Sequence, residues 1–309
     1  MKILGIGNAI VDVICKVDDN FLKQNNLTKG LMKLVFDENE FEKLLSNLKI
    51  EKTVSGGSVA NSIVGLSQLG NNVGFIGKVA DDDFGSKYEE GLKRENVNFC
   101  YIKKKEVLPT GTCLILVTPD SERTMCTYLG TAGKIHPDDL DIKIIKESEI
   151  IFLEGYLWDE GDPKKAFDKA IKDSKKIAMS LSDQFCVDRH KPYFLDLVKN
   201  KLDIIFANEG EITSLIGAKN FNEVISFGKE LNKHLIITRG EKGAISIHNK
   251  EIVDIGVKKN LKIVDLTGAG DLFAAGYLHG LINQFSQKEC LEKGTELSSK
   301  IIQQFGARI

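Results

Sequence analysis

The chain has no Cys-x-x-Cys pair, no His-x-x-x-His or His-Glu-x-x-His spacing, no G-x-x-x-x-G-K-[ST] loop and no long apolar run. Each absence closes a class of function. The five histidines are scattered, which excludes the usual zinc spacings. The six cysteines, at 15, 100, 113, 126, 186 and 290, lie mostly in apolar surroundings and read as buried thiols of a reducing cytoplasm. With 42 Lys and Arg against 44 Asp and Glu, the formal net charge is -2, and no basic surface invites a nucleic acid. The short runs Lys103-Lys104-Lys105 and Lys175-Lys176 read as solvated faces. Asn8 and Asp12 interrupt the apolar N-terminal run that would otherwise imitate a secretion signal, and no stretch is long enough to span a bilayer, so a soluble, cytoplasmic protein is expected. Repeats, low-complexity tracts and proline-rich linkers are also missing, so 309 residues read as one large α/β unit with a subdomain.

What is present centres on Val264-Asp265-Leu266-Thr267-Gly268-Ala269-Gly270-Asp271, followed by the helical apolar pattern Leu272, Phe273, Ala275, Tyr277, Leu278, Leu281. Two glycines let the backbone bend sharply and let a ligand approach its N–H groups. The first N–H groups of a helix, with its dipole, attract anions, so a phosphate fits there. Asp271 then stands beside bound anionic oxygens, where it can take a proton from an attacking hydroxyl. The same string also serves as a tight turn with Asp as N-cap. Phe273 stands where a dinucleotide fingerprint needs its third glycine.

Earlier in the chain, Asn8 and Asp12 place polar groups in an apolar segment, either converging on ligand hydroxyls or capping a turn. In Thr53 to Ser62, Gly56 and Gly57 again permit close approach, Ser58 reads as an N-cap, and Asn61 is polar in a small apolar run. Val73 to Val79 reads as a strand and Asp83 to Arg94 as a helix opened by acidic charge. Val13 to Val17, Leu31 to Phe36, Phe99 to Lys103, Thr112 to Thr118 and Arg123 to Leu129 read as a small antiparallel sheet, a lid formed by about 10–36 and 97–130. From Pro137 helices and apolar strands alternate, predicting a mostly parallel, helix-covered sheet. Strands are expected at Glu149 to Leu153, Lys176 to Leu181, Leu202 to Ala207, Leu235 to Ile237 and Ala244 to His248. Helices are expected near Asp138 to Lys146, Pro163 to Lys175, Val187 to Lys199 and Phe221 to Asn232. Ligands bind beyond the carboxyl ends of such strands, so Asn208, Glu211, Thr238, Arg239, Gly240 and Gly243 are expected to face the site.

Taken in order, these stretches resemble the ribokinase-like (PfkB-type) carbohydrate kinases. Asp265 to Asp271 and Ser55 to Asn61 are similar to that family's two signatures, Asn208-Glu209-Gly210-Glu211 to its N-x-x-E motif, and Thr238 to Gly243 to its nucleotide turn. Gly7 to Asp12, Gly56 to Ser62 and Pro109 to Cys113 are similar to the adenosine kinase branch; this chain departs from it at Gly155-Tyr156-Leu157-Trp158, where two aromatics usually follow the glycine.

The resemblance implies a ribokinase-like fold and ATP-dependent phosphorylation of a primary hydroxyl, with adenosine converted to AMP. It implies Asp271 as base, with the N–H groups of Gly268, Ala269 and Gly270 on the transferring phosphoryl. Asn8, Asp12, Gly56, Gly57, Ser58 and Asn61 would hold the acceptor, and Arg123 would close over it or remain a solvated strand residue. Asn208, Thr238, Arg239, Gly240, Gly243 and Thr267 would hold ATP, and Asn208 with Glu211 would hold Mg²⁺ through water. A monovalent cation such as K⁺ near Asp265 and Thr267, and a monomer or homodimer, complete the expectation. A kinase for a free sugar such as ribose or fructose shares every phosphoryl-transfer motif. A silent nucleoside or nucleotide sensor is disfavoured because Asp271, Gly268 and Gly270 are all present.

Overall fold

A computed structural model describes residues 1–120, 122–159 and 161–309. The strands are β1 (Ile3–Ile6), β2 (Ile10–Lys16), β3 (Met32–Val35), β4 (Ile50–Gly56), β5 (Val73–Ile76), β6 (Asn98–Phe99) and β7 (Thr112–Val117). Then follow β8 (Arg123–Tyr128), β9 (Ile150–Glu154), β10 (Ile177–Ser180), β11 (Ile204–Asn208), β12 (His234–Thr238), β13 (Ala244–His248) and β14 (Glu251–Ile255).

Nine strands form one sheet in the order β14-β13-β12-β11-β10-β9-β1-β5-β6. Every pairing from β6 through β12 is parallel, and β13 and β14 close one edge as antiparallel strands. Alternation along these strands feeds two cores. Ile3, Phe152 and Phe206 pack on one face with the helices Ser58–Gln68, Asp83–Arg94, Ala269–Ile282 and Gln287–Ile301. Leu4, Ile151, Leu153 and Ile205 pack on the other with Asp162–Asp173, Gln184–Asn200 and Phe221–Leu231. This is the helix-covered, mostly parallel sheet that the sequence predicts, and the carboxyl ends of its parallel strands open on one side. Among the described residues no helix is long and apolar enough to cross a membrane. Of the six cysteines, five are buried and all are free.

The second sheet has the order β3-β8-β7-β2-β4 and differs from the sequence expectation in three ways. It is mixed, because β2 pairs with β7 and β3 with β8 in parallel, while β2–β4 and β7–β8 are antiparallel. Its edge strand is β4, a segment that reads as the approach to a turn. Of the run Phe99 to Lys103 only Phe99 lies in a strand, at the end of β6 in the large sheet. Residues near in sequence looked like neighbours; the parallel partners are brought together by long crossovers that leave no local trace. The run from Asp138 to Lys146 is likewise divided, with a 3₁₀ turn at Pro137–Asp139 before the helix Ile142–Glu147.

One face of the small sheet buries Val11, Val13, Cys15, Leu116 and Cys126 together with Leu22, Phe41 and Leu44 of its own short helices. The register puts Ile10, Asp12, Ile14, Cys113, Ile115, Thr127, Met125 and Arg123 on the opposite face.

Candidate active site

The loops after β1, β9, β11 and β12 leave the same end of the sheet, and the helices Ser58–Gln68 and Ala269–Ile282 start there. Asp271 sits in the first turn of the second helix. It is not the N-cap: that position is Gly268, with φ 78°, where an added Cβ would lie 2.7 Å from Ala307 Cα. The carboxylate is therefore free to leave its own helix, and it accepts from Ser58 Oγ at 2.6 Å and Asn61 Nδ2 at 3.0 Å. Burial pushes its pKa up to about 6 against these two donors and the charge of Arg308. Gly270 is open, since a Cβ there would meet nothing within 4 Å. The Ala269 N–H is already donated to Leu266 O at 3.2 Å.

Ser58 is not an N-cap either. Gly57 caps that helix, with φ 101° and a Cβ position only 2.1 Å from Asn8 O. Gly57→Ala must strain the backbone and displace the Asn8 carbonyl, so a loss of at least about 2 kcal/mol is expected. Urea unfolding checks this, and an unchanged midpoint would contradict it. Gly56 lies against Asp12, whose Oδ2 would be 2.5 Å from a Cβ there. Burial pushes the Asp12 carboxyl up to about 7, opposed by Arg308 and Arg123.

Glu154 is the residue the sequence reading missed. It is 1% exposed, at the end of β9, and accepts from Asn8 N (3.3 Å), Asn8 Nδ2 (3.0 Å) and Val59 N (2.9 Å). Burial pushes its pKa up to about 7 despite these donors. A lone acid closing an apolar strand before Gly155 was the available signal. With Nδ2 committed to Glu154, Asn8 Oδ1 is buried without a hydrogen-bond partner among the described residues.

A crevice of about 440 Å³ separates Gly268 to Asp271 from Ser180, Ser182, Asn208 and Thr238. Asn208 and Glu211 form a capping box: Glu211 N donates to Asn208 Oδ1 (2.8 Å), while Asn208 N and Nδ2 donate to the Glu211 carboxylate (2.9 and 2.6 Å). Burial pushes Glu211 up to about 7, and Asp183 adds to the effect. Gly240 to Lys242 form a 3₁₀ turn at the rim, closed by Arg239 N on Gly243 O at 2.8 Å. The Arg239 side chain donates to Glu209 at 3.0 Å and stacks on Phe221 at 3.9 Å. Trp158 is buried against Tyr193, with ring centroids 4.4 Å apart, which leaves the half-exposed Tyr156 as the aromatic of that loop on the crevice.

Arg123 is not a solvated strand residue. From β8 it reaches across to Asp265 Oδ2 at 2.6 Å and lies over Phe305 at 5.0 Å. Asp265 also accepts from Thr267 N and Oγ1 (3.0 and 2.6 Å) and from Gly306 N (2.9 Å). Arg123 thereby ties the half-exposed face of the small sheet to the glycine turn.

Comparison with known proteins agrees with this fold. A solved adenosine kinase from Sinorhizobium meliloti is 36% identical, with a TM-score of 0.88 over 100% of this chain and 95% of that one. Adenosine kinase 2 of Arabidopsis thaliana is 24% identical over 98% of this chain and 94% of its own length. A 5-dehydro-2-deoxygluconokinase of Clostridium perfringens is 26% identical over 88% of this chain and 85% of its own length. The family model for the pfkB family carbohydrate kinases matches residues 23–309. The matched family is one of ATP-dependent phosphotransferases, and the chain belongs to it, the pfkB family of carbohydrate kinases.

Proposed function

We propose that the chain transfers the γ-phosphoryl group of ATP to the 5′-hydroxyl of a nucleoside, with adenosine the preferred acceptor. Asp271 takes the hydroxyl proton, and the helix start at Gly268 to Gly270 carries charge on the transferring group. Little else is asked of the protein, because such transfers run on positioning and charge stabilisation. Asn8 Oδ1, unpaired among protein groups, is a ready acceptor for a substrate hydroxyl, and Asp12 and Gly57 flank it. The small sheet serves as a lid, held to the base of the site by Arg123 and Asp265. Closure excludes water, the competing acceptor.

Kinases of this family use ATP and Mg²⁺. The donor set here fits a hydrated Mg²⁺ rather than a directly ligated one. Both Glu211 oxygens already accept from Asn208, yet a carboxylate keeps further lone pairs for metal-bound water. Among the described residues no group of three or more His, Cys, Asp or Glu could hold a metal ion alone. Bound Mg²⁺ would neutralise phosphate charge. Thr238, Gly240, Gly243 and Thr267 line the nucleotide side in this reading.

The observation that carries the nucleoside reading is the apolar surface beside Asp12. Ile10, Ile14, Ile115 and Met125 share its face of the small sheet, the face from which Arg123 reaches Asp265. A free sugar has no use for such a surface, whereas a base stacked on it buries on the order of 100 Å². At about 25 cal/mol per Å² that gives about 2.5 kcal/mol, close to 10²-fold in kcat/KM. The sugar reading stays in view because the Clostridium relative is named for a keto-sugar acid derivative. Initial rates with ATP and Mg²⁺ against adenosine, inosine, cytidine, ribose, fructose and 5-dehydro-2-deoxygluconate decide between them. Adenosine is expected to exceed ribose by about 10²-fold; preference for either sugar class overturns the assignment.

A further inference from the structure

The segment after the last helix folds back over the glycine turn. Gly306 donates to Asp265, Ala307 walls in Gly268, and Arg308 runs inward to donate its Nε to Asn61 Oδ1 at 3.1 Å. Asn61 passes the contact on, donating Nδ2 to Asp271 Oδ2 at 3.0 Å. The Arg308 Nη2 is buried without a hydrogen-bond partner among the described residues. A guanidinium placed this way is costly, and the contacts it makes lie at the base of the site.

An amide has two ends of similar shape and opposite chemistry. Asn61 could turn either toward Asp271, and only Nδ2 can donate to a carboxylate. We infer that Arg308 is a positioning residue for phosphoryl transfer: by occupying Asn61 Oδ1 it fixes the amide with Nδ2 on Asp271, and so holds the base in orientation and in its charged form. This rests on Asp271 as the base. Arg308 lies outside all the motifs of the sequence.

The charged and titratable groups around this relay come from every neighbouring element. Asp12 faces it from β2, Arg123 from β8, Tyr88 and Glu95 from the helix Asp83–Arg94 and its end, and Glu154 from β9. Arg308 favours the charged forms of Asp12 and Asp271 alike. Removing it leaves Asp271 holding its proton to higher pH, so the acid limb of the rate profile moves upward.

The test is a double-mutant cycle on the full chain with Arg308→Met, Asn61→Ala and the pair, each assayed for kcat, both KM values and the pH profile. Arg308→Met is expected to lower kcat about 10²-fold, because misplacing a reacting group by an ångström costs that much. The KM for ATP is expected to hold and the acid limb to rise. In the Asn61→Ala background the same change is expected to cost less than about threefold, since its route to Asp271 is gone. Arg308→Lys keeps the stem and the charge and supplies the measurement should the methionine variant not fold. With it the acid limb is expected to stay and the coupling to Asn61 to remain. An equal loss with and without Asn61, or a kcat within about threefold of the parent, overturns the inference. If Asp271→Asn abolishes transfer while Arg308→Met does not disturb it, the inference alone fails; if Asp271→Asn retains activity, the base assignment fails.

Discussion

Asp271→Asn is expected to lower kcat by about 10²- to 10⁴-fold, the range for removing a general base. The amide keeps the shape of the carboxylate but has no proton-accepting charge. It also sets its own Nδ2 against one of the donors, Ser58 Oγ or Asn61 Nδ2, that the carboxylate satisfied. ATP binding should hold, because the crevice opposite is untouched. Retention of more than about a tenth of the parent rate would show that proton transfer does not pass through Asp271. The parent enzyme should lose kcat/KM as pH falls through about 6, where the buried carboxyl takes up its proton.

The same burial gives a stability effect of opposite sense to the activity effect. Asp271 rises from an ordinary 3.8 to about 6 in the fold. Between those values the folded chain binds more protons than the unfolded chain, so this group's contribution falls as pH rises through the window and is fully unfavourable above it. Asp271→Asn removes the penalty. At pH 8 the variant should unfold about 1–3 kcal/mol later than the parent, and that advantage should vanish near pH 4. A variant less stable than the parent at pH 8 would mean that Asp271 supports the fold rather than straining it. Asp12, Glu154 and Glu211 are raised in the same direction, so the parent itself should melt higher at pH 6 than at pH 8.

Glu154→Ala is expected to cost about 3–5 kcal/mol of stability. It strands three donors, Asn8 N, Asn8 Nδ2 and Val59 N, in a place where the side chain that served them was 1% exposed. The loss should appear as a lower denaturant midpoint with an unchanged slope. Acceptor KM should rise as well, because Asn8 is then free to turn its Oδ1 away. Glu154→Gln should be milder, about 1–2 kcal/mol, since its oxygen serves one side and its NH₂ opposes a donor on the other. A loss below about 1 kcal/mol for the alanine variant would mean that water replaces the carboxylate without cost.

Much of the chemistry was legible because it sits in short contiguous strings. Gly268 to Asp271, Gly56 to Asn61 and Asn208 to Glu211 each combine a turn with a helix start, and local backbone rules are enough to read them. The readings went astray where a neighbour in space changed a residue's task. Ser58 and Asp271 both have the composition of N-caps, yet glycines take both caps and the two side chains bond each other across two helices. β4 escaped notice because its partners, Asp12 to Val54 and Ile10 to Gly56, lie far away in sequence.

The sequence by itself determined the alternating α/β architecture, the glycine turns and the carboxylate beside them, because periodicity, chirality and turn chemistry act over a few residues. The tertiary structure alone decided how these pieces meet. It set the parallel order of the small sheet, the buried Glu154 that orients Asn8, and the Arg123–Asp265 tie across the crevice. It also brought Arg308 from the far end of the chain to Asn61. Such contacts are fixed by packing and by the need of buried polar groups for partners, and neither leaves a mark at a fixed spacing along the chain.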